Sequence, residues 1–153
     1  INYEKEALTF YSRLPRAVLR EMSTSDLVKF PMTLAGGKIP ILPNLTIKGR
    51  KVAAWIDTGA NFNIGMSESD AKQLGLKELD FPNGKSTASG SRGVFEIRRV
   101  HVLDMAVGPL KKDSVVGITH NQGMSNVVGN AFFKDYVLTL DYIDRMVYLE
   151  SGK

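Results

Sequence analysis

From Leu27 onward the chain alternates short apolar runs with turn residues, the pattern of a protein built mainly from strands. Val28–Leu34 and Ile39–Leu42 lie on either side of Gly36-Gly37. Leu45-Thr46-Ile47 and Val52–Ile56 lie on either side of Lys48-Gly49-Arg50. Short strands joined by a tight glycine turn predict a hairpin, with Lys48-Gly49-Arg50 as its exposed tip. Pro82-Asn83-Gly84 marks a further turn, and Lys85 to Arg99 reads as a long hairpin folded around Ala88–Gly93. Strands are expected next at Val100–Val107 and Asp113–Ile118, and then a loop over Thr119–Ser125. A closing hairpin of Tyr136–Tyr142 and Met146–Glu150 turns at Ile143-Asp144-Arg145. Several short strands at this spacing predict an all-β sandwich or barrel.

Helical periodicity appears in three places. Ser67-Glu68-Ser69-Asp70 reads as a capping-box start, with Ser67 as N-cap; Ala71, Leu74 and Leu76 supply the apolar side and Gly75 the stop. Asn130–Lys134 reads as a short helical piece. Ala7, Leu8, Phe10, Tyr11 and Leu14 fit one helical face within residues 4–22, with a break or restart at Pro15. The turn-like Ser23-Thr24-Ser25-Asp26 separates that segment from the rest. The expected organisation is an N-terminal helical extension, or the end of an upstream region, over residues 1–26, and one domain over 27–153.

Composition narrows the chemistry. The 153 residues are 43% apolar and 24% charged, ordinary for one globular domain. No apolar run reaches the ~18 residues of a membrane-spanning helix. There are no cysteines, which removes disulfides, thiol nucleophiles and thiolate metal sites. His101 and His120 lack ligand-like spacing and read as ordinary strand or surface histidines, so no metal is expected. The net charge of +4 belongs to the N-terminal third: residues 1–56 carry nine Lys/Arg against four Asp/Glu, and residues 57–153 eleven against twelve. The basic residues are scattered rather than interleaved with aromatics on one face, so a solvated surface is expected and a nucleic-acid partner is not.

The residues that point to chemistry are Asp57-Thr58-Gly59-Ala60, at the end of the apolar run Val52–Ile56. A carboxylate at the end of a buried strand is costly unless it is paired or hydrogen-bonded. Here a hydroxyl and then a glycine follow at once, and the glycine lets another backbone or a ligand approach closely. Two more elements follow in order: the glycine-containing hairpin Thr87 to Gly93, and Val127-Val128-Gly129 leading into Asn130-Ala131-Phe132-Phe133.

Together these three elements resemble the retropepsin-like aspartic proteases, over roughly residues 36–150. The resemblance implies an all-β, closed acid-protease β-barrel with one short helix and an aspartic-type endopeptidase that needs no cofactor. It implies Asp57 as the catalytic carboxylate. Thr58 would bond across a dimer axis, Gly59 would give its N–H to the carboxylates, and Ala60 would line the site. Thr87, Ala88, Ser89 and Gly90 would form a flap over a polypeptide substrate. Val127, Val128 and Gly129 would pack behind the catalytic loop, with Phe132 and Phe133 as packing.

Hydrolysis by such a site takes two carboxylates sharing one proton, because like charges at close range do not both ionise easily. The signature occurs once. Asp113-Ser114-Val115 has valine where a glycine belongs, and Asp104 and Asp141 fit no better. A homodimer with Asp57 from each protomer is therefore expected. The alternative is a monomeric, non-catalytic module on the same fold that holds an extended peptide by strand addition. The N-terminal extension and the helix at Ser67–Leu76 depart from compact viral members of the family and resemble bacterial relatives, which implies an exported, periplasmic or envelope-associated protein.

Overall fold

The computed structural model of the chain describes residues 1, 7, 9, 17, 20, 27–79, 86–90, 93–121, 123 and 125–151. Its elements are β1 (Leu27–Pro31), β2 (Thr33–Ala35), β3 (Ile39–Ile47), β4 (Arg50–Asp57), β5 (Ile64–Ser67), α1 (Glu68–Gln73), β6 (Lys77–Leu79), β7 (Ser86–Gly90), β8 (Gly93–Val107), β9 (Leu110–His120), β10 (Asn126–Gly129), α2 (Asn130–Phe133), β11 (Tyr136–Asp141) and β12 (Met146–Ser151). The expected helical face within residues 4–22 and the turn at 82–84 lie outside the described residues, apart from isolated positions.

The chain is mostly strand, as its alternation requires. In β3 the side chains of Pro40, Leu42, Leu45 and Ile47 are buried while their neighbours are exposed or half-buried. A register shift between Leu42 and Leu45 lets the strand carry Pro43-Asn44 without breaking its pairing to β4. The tip of that hairpin is Lys48-Gly49, both with positive φ (50° and 73°), the conformation a two-residue hairpin turn demands.

The expected all-β architecture is present, with its strands paired into two sheets rather than one. There are two sheets, β1-β12-β11 and a nine-stranded sheet ordered β2-β3-β4-β10-β5-β9-β8-β6, with β7 added on β8. A second pairing of β3 with β8 returns the path of the larger sheet to its start. Asp104 makes that pairing possible. Its φ of 50° flips the alternation in β8, so Val100 and Val102 are buried before it and Met105 and Val107 after it. Residues 105–107 then pair with Leu45–Ile47 of β3, and the Asp104 carbonyl accepts from the Lys48 N–H at 3.2 Å. The expected separate strand at Val100–Val107 is thus the second half of one 15-residue strand.

The core lies between the sheets and runs through Leu42, Leu45, Ile47, Ile64, Met66, Met105, Phe132, Phe133, Leu138 and Leu149, all fully buried or within 1% of it. Phe132 and Phe133 meet edge to face at 5.1 Å between ring centroids. Helix α1 is shorter than the expected Ser67–Leu76, but its ends are as read. The Ser67 Oγ accepts from the Asp70 N–H at 3.1 Å. Gly75 (φ 61°) closes a Schellman motif, with Gly75 N–H to the Lys72 carbonyl and Leu76 N–H to the Ala71 carbonyl. Asn126 ties α1 to the strands, donating to Asp70 Oδ2 at 2.8 Å and to the Ala53 carbonyl at 3.3 Å. Ile1 adds to the free edge of β11 by exchanging backbone hydrogen bonds with Leu138.

Candidate active site

β4 delivers Asp57 to the surface. Ala54 and Ile56 are buried in the core, so the next residue falls on the opposite side just where the strand ends. Asp57 is therefore exposed, not buried as the apolar run before it suggests. The loop after it folds back at once. The Ala60 N–H donates to the Asp57 carbonyl at 3.2 Å, and the Gly59 N–H donates to Asp57 Oδ1 at 2.9 Å. A Cβ at Gly59 would sit 3.3 Å from that same oxygen, so glycine supplies both the donor and the room for the carboxylate.

β10 braces this loop from behind. It runs parallel to β4 with Gly129 level with Asp57, Val128 with Ile56 and Val127 with Trp55. Its end and the start of α2 supply three donors: Gly129 N–H to the Asn63 carbonyl (3.1 Å), Asn130 N–H to the Ala60 carbonyl (2.8 Å) and Asn130 Nδ2 to the Thr58 carbonyl (3.3 Å). Gly129 has an ordinary φ of −89°, so the demand for glycine there is spatial. A Cβ would lie 2.2 Å from the Phe62 carbonyl oxygen and 2.8 Å from that of Ala60.

The hairpin of β7 and the first part of β8 stands over the same opening, with Ser86 opposite Ile97, Ala88 opposite Phe95 and Gly90 opposite Gly93. Between hairpin and loop lies a cleft of about 770 Å³, whose walls include Asp57, Gly59, Ala60, Thr87, Ala88, Ser89, Gly90 and Val127. The structure thus brings the expected residues together around one opening, except Thr58, Val128 and Gly129, which do not line it. Asp57 is the only carboxylate among the described residues that lines the cleft. The other candidates are engaged elsewhere: Asp104 and Asp113 with Lys111 at 3.3 and 3.5 Å, and Asp141 with the N–H groups of Ile143 and Asp144 at 2.9 Å each. Among the described residues no group of His, Cys, Asp or Glu is arranged to hold a metal ion.

Sequence reasoning missed much of the cleft wall: Asn61, Phe62, Gly65, Phe95, Ile97, Ile118 and His120. The alternating pairs Phe95/Ile97 and Ile118/His120 were a signal of two strand faces. Only the register of β8 on β9, which sets Ile97 against His120 and Arg99 against Ile118, shows that they share one side. His120, read as an ordinary histidine, is 3% exposed, and its ring stands edge-on to Phe95 at 6.2 Å between centroids. Burial pushes its imidazole below the ordinary histidine range, opposed by the Glu68 carboxylate. His101 is the ordinary one, paired with Ser114 Oγ at 2.6 Å on the surface.

The family model described as "gag-polyprotein putative aspartyl protease" matches residues 44–135, more than half the chain and the whole stretch from before Asp57 to beyond Asn130. The chain belongs to this retropepsin-like aspartic protease family. Its fold is similar to the crystal structure of a retropepsin-like aspartic protease from Rickettsia conorii, with a TM-score of 0.59 and 15% identity over 84% of this chain and 94% of that one. It overlaps less well with basic 7S globulin from soybean, at a TM-score of 0.46 and 13% identity over 84% of this chain and 42% of that one. No curated protein sequence matches the chain. No helix among the described residues is long and apolar enough to cross a membrane.

Proposed function

We propose that the chain is an aspartic endopeptidase whose catalytic unit is a homodimer, with one Asp57 from each protomer. The observation that carries this reading is the state of Asp57. It is exposed at the mouth of a cleft, held by the Gly59 N–H on a loop braced from behind, and among the described residues no second carboxylate lines that cleft. One chain supplies half of a two-carboxylate site, and twofold symmetry supplies the other half from an identical loop.

In the dimer the two carboxylates share one proton, and the apparent pKa values belong to the pair. The ionised member takes a proton from water as the water oxygen attacks the scissile carbonyl carbon. The protonated member donates to the carbonyl oxygen as it gains charge. Collapse of the tetrahedral intermediate breaks the C–N bond, and the departing nitrogen takes up a proton. Gly59 steadies the ionised carboxylate with its N–H. Thr58, at the centre of the loop, locks the two loops to each other across the axis. The hairpin carrying Thr87, Ala88, Ser89 and Gly90 closes over an extended peptide and keeps bulk water out.

The lone carboxylate of a single chain favours a second reading for the monomer, which would hold an extended peptide against the hairpin by strand addition without cutting it. Asp57→Asn separates structural from chemical roles. Because the side chain is exposed, the variant should unfold at the parent's denaturant midpoint while its endopeptidase activity, assayed at mildly acidic pH, disappears. A variant that cleaved peptides as fast as the parent would overturn the reading.

A further inference from the structure

We propose that His120 is the hydrogen-bonding end of a substrate subsite that takes a carboxamide side chain, glutamine or asparagine, in preference to an apolar side chain of the same size. The inference rests on the cleft being the peptide-binding site and adds which side chain part of it selects.

Four observations converge. First, His120 lines the cleft, on the face of β9 that also presents Ile118 and opposite Ile97 of β8. Second, it is 3% exposed, and among the described residues neither ring nitrogen has a hydrogen-bond partner. A buried polar group left unpartnered carries its full desolvation cost, so such groups are few in native proteins, and a ligand that supplies the missing bond gains what the empty site lacks. Third, the wall around it is apolar: Phe95 stands edge-on to the ring, with Ile97 and Ile118 beside it. A side chain reaching His120 needs an apolar stem and a polar end. Fourth, Phe95 sits on the hairpin strand opposite Ala88, and a Cβ at Gly90 would lie 3.4 Å from its ring. The ring that stands against His120 thus belongs to the hairpin that forms one wall of the cleft.

The chemistry of the ring selects among polar ends. Burial pushes the imidazole pKa down and so favours the neutral ring, which offers one N–H donor and one acceptor nitrogen. A carboxamide carries both complements. A carboxylate lacks the donor, gains no charge assistance from a neutral ring, and meets the opposing field of Glu68, whose neighbour Ser67 pairs with His120 across β5 and β9. An apolar side chain leaves both ring nitrogens unpaired. Sites built to hydrogen-bond a substrate group reject the analogue lacking it far better than apolar pockets reject a missing methylene.

The test uses Asp57→Asn protein, expected to hold peptide without cutting it, and a set of extended octapeptides in which each position in turn is Gln or its near-isostere Met. Binding is read by fluorescence anisotropy with His120 intact, and in His120→Leu and His120→Gln backgrounds. The expected result is one position at which Gln binds about tenfold or more tightly than Met. That ratio should fall to about one in His120→Leu and largely persist in His120→Gln, with ratios at other positions unchanged. A loss of fold moves all ratios together, whereas a subsite residue moves one. Equal binding of Gln and Met at every position, a preference that survives His120→Leu, or no binding at all overturns the proposal. The parent chain assayed on the same peptides keeps the two claims apart. Cleavage without a carboxamide preference sinks only the subsite, and a preference without cleavage sinks only the catalytic reading.

Discussion

Gly129→Ala tests the idea that β10 positions the catalytic loop. Only one methyl group is added, and the backbone φ of −89° suits alanine, so dihedral strain contributes nothing. The cost is spatial. The new Cβ would meet the Phe62 carbonyl oxygen at 2.2 Å and the Ala60 carbonyl oxygen at 2.8 Å, both backbone atoms with no free rotation to escape. Relieving the first contact moves the loop by roughly 1 Å, given ordinary non-bonded carbon separations of about 3.5 Å. That shift stretches the bonds from Gly129 N–H to Asn63 and from Asn130 N–H to Ala60, at 3.1 and 2.8 Å. Overpacking of this kind costs about 1–3 kcal/mol, and two weakened backbone hydrogen bonds about 1 kcal/mol more. For a domain of this size 3 kcal/mol corresponds to roughly 6–12 °C in Tm. Activity should suffer more than stability, because about 1 Å of misplacement at a reacting group costs on the order of a hundredfold. Calorimetry and a peptidase assay on Gly129→Ala read both. A variant within about 0.5 kcal/mol of the parent and fully active would refute the bracing role, since that is the range of a neutral surface substitution.

Other expectations rest on separate parts of the fold. His120 has a lowered pKa in the folded chain, so between its folded value and about 6.5 the unfolded chain binds more protons and stability falls as pH falls. Urea unfolding from pH 8 to pH 5 should show that slope reduced in His120→Leu; identical slopes in parent and variant would contradict the buried, neutral assignment. Ser67→Ala removes the Oγ acceptor for the Asp70 N–H and should cost about 1 kcal/mol, read as a lower denaturant midpoint at unchanged m-value. Asp141→Ala leaves the Ile143 and Asp144 N–H groups without their 2.9 Å acceptor and should cost about 1–3 kcal/mol, whereas Asp141→Asn, which keeps one acceptor oxygen, should cost less.

What the sequence made legible were features set by local chemistry. The Lys48-Gly49 turn, the Ser67 cap, the Gly75 stop, the short helix from Asn130 and the closing hairpin depend on residues within a few positions of one another, and all are present. Features set by pairing between distant strands were not legible. The parallel contact of β10 with β4, which puts Gly129 level with Asp57, came to view beforehand only through family resemblance. The short β5 and β6 carry no alternation long enough to detect. The sequence reading divided β8 between Arg99 and Val100, whereas its one irregularity, the positive φ of Asp104, lies four residues further on and leaves the strand continuous. The site divided in the same way. Asp57 and Gly59 are local to one loop, whereas the cleft face of Phe95, Ile97, Ile118 and His120 exists only after β8 and β9 are set in register. The exposure of Asp57 ran against its apolar approach, because burial of Ala54 and Ile56 says nothing about the residue at which the strand ends.

The central claim is that one chain carries half a catalytic site. Parent protein mixed with Asp57→Asn at fixed total concentration, with time allowed for protomers to exchange, tests it most directly. If a working site needs Asp57 from both protomers, peptidase activity follows the square of the parent fraction, so an equal mixture retains about a quarter of the parent's activity. Activity that falls only in proportion to the parent fraction would show that each chain works alone, and would contradict the shared site.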